Sequence, residues 1–269
     1  MSAIGIVSGI IVAIGKRTRG QKLKRITLLS IAIVALASFH ILVNTNRKEV
    51  VLPLAVKVPA EYEFSADWVS ENVRHWEQWL APMKDKPGVK ALEIGSFEGR
   101  SALWFLVNVL SYPTSSITCV DIFDNPVVEG RFDKNIAISG LSNKVIKVKA
   151  RSDDALKQFT SGSYDFIYID GSHVAKDVLV DAVLAWELLK PGGAIIFDDY
   201  EWAGFGPRVG RHKTPKLAIN AFLDVYSPYA EVLHKGSQLI LRKKENARVD
   251  LDDDGTVGRI VKKLQLLFD

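Results

Sequence analysis

The chain has 269 residues, 48% hydrophobic and 25% charged, the make-up of an ordinary globular protein with room for one large domain and an appendage. Its net charge of +4 is uneven: residues 1–60 hold nine Lys or Arg and one acid, a balance of +8, which leaves −4 on the rest. A mildly acidic main part argues against a nucleic-acid partner, and the single cysteine, Cys119, excludes an intrachain disulfide framework and a cysteine-based zinc site.

The first distinct segment is "ITLLSIAIVALASFHILV", residues 26–43, eighteen residues without Asp, Glu, Lys or Arg. That is near the minimum for a bilayer span, and the basic "KRTRGQKLKR" before it favours a cytoplasmic flank. A single-pass membrane anchor is therefore expected, with the side that carries the main domain left open. The alternative is a cleaved signal peptide with "ALA" at 35–37 as its small-residue site, which the earlier apolar stretch 3–15 fits poorly. Residues 1–60 thus read as leader and linker, 61–245 as the main domain, and 246–269 as a polar tail with a short helix. Within the tail, "DLDDDGTVGRIV" has the Asp spacing of a calcium loop, but Val261 stands where a bidentate Glu is needed.

From Asp67 a helix is expected, with Val69, Val73, Trp76 and Leu80 on one face until Pro82 stops it. Strands and helices then alternate. "VKALEIG" is a strand, followed by a helix from Ser101 to Leu110; "SSITCVDIF" and "NKVIKVKA" are the second and third strands, with a helix over 154–159. "YDFIYID" is the fourth strand, and the helix after it carries Val174, Val178, Ala182, Ala185 and Leu189 on one stripe and stops at "KPGG". "AIIFDD" is the fifth, a helix covers 216–226, and "AEVLHK" and "SQLILRKK" form a closing hairpin through Gly236. The pattern is that of an α/β protein with a doubly wound, mostly parallel, seven-stranded Rossmann-like sheet and an antiparallel C-terminal edge strand.

Four of these strands end in acids: Glu93, Asp121, Asp170, and Asp198 with Asp199. Ligands of open α/β sheets bind outside the carboxyl ends of the strands, and acids gathered there repel one another unless cations satisfy them. After the first strand comes "GSFEG", Gly95 to Gly99, a turn able to bring backbone N–H groups to a ligand at the start of a helix. His173 follows Asp170 by three residues.

The motifs "ALEIGSFEGRSA", "CVDIFD", "YDFIYIDGSH", "LLKPGGAIIFDDY" and "PKLAINAFL" together resemble the class I S-adenosylmethionine-dependent methyltransferases, in particular the branch of macrocin-type sugar O-methyltransferases (methyltransferase family 24). The resemblance spans about residues 64–244. It implies that Glu93, Gly95, Ser96, Gly99 and Ser101 cradle the methionine part of S-adenosylmethionine (SAM), that Asp121 accepts the ribose hydroxyls, and that Ser152 and Asp153 border the adenine. Asp170, Asp198 and Asp199 match divalent-metal ligands, an all-oxygen set suited to Mg²⁺, and Asp170 also borders the cofactor. His173, beside Asp170, falls where a general base stands.

The function so implied is methyl transfer to a hydroxyl of a sugar, glycan or other hydroxylated metabolite. A catechol-type O-methyltransferase is the alternative enzyme; that branch usually closes its fifth strand with Asp-Asn, whereas this chain has Asp198-Asp199. A membrane-tethered cofactor-binding module without catalysis is the alternative of another class. The loop 201–216, with Trp202, Arg208, Arg211 and His212, is either a substrate lid or a solvated basic loop.

Overall fold

The computed structural model describes residues 61–203 and 210–245. The expected membrane segment 26–43, the rest of the leader, Arg208 and the tail 246–269 lie outside the described residues. Among the described residues no helix is long and apolar enough to cross a membrane.

Seven strands form one sheet: β1 (Lys90–Ile94), β2 (Ser116–Asp121), β3 (Val145–Lys149), β4 (Tyr164–Ile169), β5 (Leu189–Phe197), β6 (Ala230–Lys235) and β7 (Leu239–Lys243). Their order is β3-β2-β1-β4-β5-β7-β6. The first five strands run parallel, as the alternation with helices demands, while β7 runs antiparallel to both β5 and the outermost β6. The order reverses between β1 and β4, and the crevice at such a switch point is where ligands of these sheets bind.

Helices cover both faces. The helices α1 (Val73–Leu80), α2 (Arg100–Asn108) and α3 (Pro126–Ile138) supply one core with Trp76, Phe105 and Phe132 at its centre. On the other side α4 (Ser152–Ala155), α5 (Ala175–Leu188) and α6 (Pro215–Tyr226) close over Leu92, Ile167 and Phe197. Because both faces are covered, "FIYI" can be apolar throughout, and burying each such side chain contributes roughly 1.5–3 kcal/mol.

Helix α1 starts at Val73 and not at Asp67, and two further features depart from the sequence reading. Helix α3 was not expected between the second and third strands. Its start is nonetheless encoded: the Asn125 side chain accepts the Val127 N–H at 3.0 Å, and Pro126 takes the first turn, where no N–H is needed. Only Phe132, Asn135 and Ile136 of this helix are buried, too short a stripe to stand out as a period. The second is the junction after α5, which stops at Leu188 instead of running through Leu189 to "KPGG". Leu189 already pairs with Tyr164, and the register slips before Phe166 meets Ala194, so the Pro-Gly-Gly segment is an irregularity inside β5.

Candidate functional site

The carboxyl ends of β1, β4 and β5 meet at two clefts that share Asp170. One is lined by Gly95, Ser96, Phe97, Ser101 and Tyr168 and is walled by Phe64, Ala66, Trp68 and Val69 of the entering segment. The other is lined by Asp170, Gly171, Ser172, His173, Asp198, Asp199 and Pro215.

The first cleft depends on a glycine. Gly95 has φ +85°, its N–H bonds the Val120 carbonyl at 2.8 Å, and a Cβ there would sit 2.1 Å from the Asp170 carbonyl oxygen. Only glycine lets the turn pass this close to β4. Gly99, φ +81°, occupies the N-cap of α2, where a Cβ would press on the Phe132 ring at 3.0 Å. Between them Glu98 is buried, pairs with Arg131 at 2.6 Å and accepts the Ser65 N–H at 2.5 Å. Arg100 completes the strap, reaching Asp67 at 2.5 Å and lying 5.2 Å from the Phe64 ring centre. Trp68, 60% exposed, packs on Phe97 with ring centres 5.3 Å apart. Of Trp68, Trp76 and Trp79, Trp76 is core packing and Trp68 lines the cleft.

Glu93 lies beneath this turn with no exposure. One oxygen accepts the Ser101 hydroxyl at 2.5 Å; the other, Oε2, has no hydrogen-bond partner, and neither has Ser96 Oγ. Burial pushes the Glu93 carboxyl up to about 7, and the Ser101, Ser96 and Cys119 side chains beside it oppose the rise. An unpartnered buried carboxylate oxygen beside an unpartnered hydroxyl fits an incoming ammonium group, such as that of SAM. The Glu93–Ser101 bond joins two of the residues expected to cradle the methionine part of the cofactor. Asp121 is already engaged: Oδ2 accepts the N–H groups of Ser96 (2.9 Å) and Phe97 (3.0 Å), and Oδ1 that of Phe123 (2.8 Å). It braces the turn and keeps lone pairs for a ribose. Ser152 and Asp153 open α4 and line neither cleft; Asp153 pairs with Arg151 at 3.1 Å.

In the second cleft, ligand atoms of Asp170, His173 and Asp199 all lie within 4.8 Å of one another. Asp199 has φ +56°, a left-handed turn after β5, and its carboxylate is hydrogen-bonded to His173 Nε2. That bond raises the His173 pKa against the opposing effect of burial. The imidazole also lies against Trp202, ring centres 4.5 Å apart. Asp198 lines this cleft too but is engaged: Oδ1 accepts the Asp199 N–H at 2.8 Å and Oδ2 the Tyr168 hydroxyl. Burial, then Asp198 and Asp199, lift Asp170 well above the usual carboxylate range. The two carboxylates could hold a divalent cation such as Mg²⁺ or Mn²⁺, with the imidazole beside it as a proton acceptor. Arg211 and His212 belong to a short exposed 3₁₀ turn ahead of α6.

The sequence reading named site residues that line both clefts: Gly95, Ser96, Ser101 and Asp170 in the first, and Asp170, His173, Asp198 and Asp199 in the second. It missed Tyr168, hidden in an apolar run, and Glu98 with its strap, whose partners are 33 residues away in either direction.

Residues 92–200 match a family model described as a methyltransferase domain. An uncharacterised protein of Acanthamoeba polyphaga mimivirus is 27% identical over 155 residues, 56% of this chain and 68% of that one. Among solved structures, the O-methyltransferase TomG from Streptomyces achromogenes, involved in tomaymycin synthesis and in complex with SAM, matches with a TM-score of 0.51 at 15% identity, over 66% of this chain and 82% of that one. The O-methyltransferase from Bacillus cereus in complex with SAH matches with a TM-score of 0.50 at 17% identity, over 69% and 84%. At these identities the likeness to solved structures is one of fold.

Proposed function

We propose that this chain is a class I SAM-dependent methyltransferase of the methyltransferase 24 family and that it methylates a hydroxyl of a sugar, glycan or other hydroxylated metabolite with the help of a divalent cation. The observation that carries this reading is the gathering of Asp170, His173 and Asp199 where the two clefts meet. O-Methyltransferase relatives of the same fold support oxygen as the acceptor atom.

Bound SAM supplies a methyl already activated on a sulfonium, and a divalent cation supplies Lewis acidity toward the acceptor hydroxyl. The chain's own groups must then orient, exclude water and move a proton. Gly95 and Ser96 offer a close backbone approach to the cofactor, and Glu93 its unpartnered oxygen. Trp68 and Phe97 shield that cleft from water. His173 accepts the acceptor's proton, with Asp199 fixing the ring and stabilising the imidazolium so formed. Asp170 and Asp199 would hold the cation, and Asp198 accepts the Asp199 N–H behind it.

A catechol-type acceptor is the second reading, disfavoured by Asp199 in place of the Asn of that branch. Attachment to a membrane through residues 26–43 also belongs to this proposal, supported by their length and lack of charge. Release of the full-length chain from membranes by carbonate would defeat it. The catalytic reading is tested by assaying the full-length chain against sugar-nucleotide, glycan and phenolic pools with and without chelator. Methylation lost in EDTA and restored by Mg²⁺ or Mn²⁺ is expected. Full activity with the metal shown to be absent would remove the cation.

A further inference from the structure

Glu93, Tyr168, Asp170 and Asp198 share one face of the sheet. Glu93 is in register with Tyr168, Tyr168 with Ile196, and alternate residues of a strand point the same way. The Tyr168 ring is buried, clamped edge-on by Trp76 at 5.4 Å and Phe105 at 5.5 Å between ring centres. Its hydroxyl lies 3.1 Å from Asp170 Oδ2 and donates to Asp198 Oδ2. Asp198 in turn accepts the Asp199 N–H at 2.8 Å. The clamp is itself held: Trp76 Nε1 donates to Oε1 of the buried Gln238 at 2.8 Å.

We propose that Tyr168 is a positioning residue for the cation cluster, its hydroxyl tying Asp170 to Asp198 and, through Asp198, fixing the turn that presents Asp199 to His173. The inference rests on the cation reading above and concerns a residue that reading does not use. A phenol on a clamped ring is a fixed point, whereas two adjacent half-buried carboxylates repel and would rotate apart without it. Hydrogen bonds behind metal ligands set the ligands' direction, and losing one typically costs 10–100-fold in metal affinity. Tyr168→Phe removes the hydroxyl alone and leaves the ring against Trp76 and Phe105.

The test titrates the full-length protein, wild type and Tyr168→Phe, with Mn²⁺ in the absence of methyl donor, following free Mn²⁺ by electron paramagnetic resonance. Thermal melts, kcat and the KM for SAM complete the comparison. Expected are a Mn²⁺ affinity lowered about 10–100-fold, a melt close to wild type, a KM for SAM within about threefold, and a kcat that recovers as Mn²⁺ is raised. Recovery by metal is something a packing role would not give. Mn²⁺ affinity and kcat both within twofold of wild type would overturn the proposal, as would a melt and SAM affinity that fall together with Mn²⁺ binding. Wild-type protein that binds no Mn²⁺ would instead defeat the cation reading, and the positioning role with it.

Discussion

Glu93→Gln isolates the cost of keeping a carboxylate under the glycine turn. The Glu93 pKa rises from 4.5 to about 7 because the group is fully buried. A shift of this size corresponds to about 3 kcal/mol between the two protonation states. Its sign follows from linkage: a raised folded pKa means the favourable contribution is complete below about pH 4.5 and is lost as pH climbs through 7. Gln has the same shape without the charge, and its oxygen can still accept from Ser101. The amide nitrogen would occupy the unpartnered Oε2 position, at a cost of roughly 1–3 kcal/mol. Urea denaturation of the full-length chain should therefore show the variant gaining on wild type by up to about 3 kcal/mol between pH 5 and pH 9. Calorimetry with SAH should show the opposite trade, an affinity lowered about 10–100-fold for loss of a charge-assisted bond to the ammonium. A stability difference that is the same at pH 5 and pH 9 would refute the burial argument. Unchanged SAH affinity would take Glu93 out of the cofactor site.

Gly95→Ala should lower stability by several kcal/mol or prevent folding, because its Cβ meets a carbonyl oxygen at 2.1 Å and φ is +85°; a melt within a few degrees of wild type would contradict the geometry. Asp121→Ala removes the acceptor of three backbone N–H groups, so it should both lower the melting temperature and weaken SAM binding about tenfold or more, readable by calorimetry. A general base must be neutral, so kcat/KM should fall on the acid side with a midpoint above 6.5, the ordinary histidine value that Asp199 raises; His173→Ala should abolish that limb and lower the rate by roughly 10²–10⁴-fold.

What could be read from the sequence was whatever rests on local spacing. The apolar run of β4 ending in Asp170, the "GSFEG" turn and the acids of "FDDY" each advertise a strand end, and strand ends of one parallel sheet must share an edge. What could not be read depends on where side chains turn after the strand. Alternation would send Asp198 and Asp199 to opposite faces; the left-handed φ of Asp199 instead swings it to His173, and nothing in the letters announces that torsion. Tyr168 reads as one more core residue because its ring is one, and only its hydroxyl, a single atom, meets the acids. Helix α3 escaped because its buried face is just Phe132, Asn135 and Ile136, with Asn135 spent on the Glu63 and Glu98 backbones.

The two neighbouring acids of "FDDY" therefore have separable duties, and the separation can be measured. Asn tolerates a positive φ better than most residues, so Asp199→Asn should leave the turn and its N–H bond to Asp198 in place. It loses the charge that faces His173 and one ligand of the cluster. Turnover should fall by tenfold or more while SAM affinity changes little, since Asp199 lines only the second cleft. Asp198→Asn acts differently. Its side-chain oxygen can keep either the Asp199 N–H or the Tyr168 hydroxyl but not both. The loss should appear first as a lower melting temperature, then as weaker Mn²⁺ binding, with the His173 limb of the pH profile retained. Two variants with the same melt, the same Mn²⁺ affinity and the same pH limb would show that the acids act as equivalent ligands, and the division between brace and ligand would be wrong.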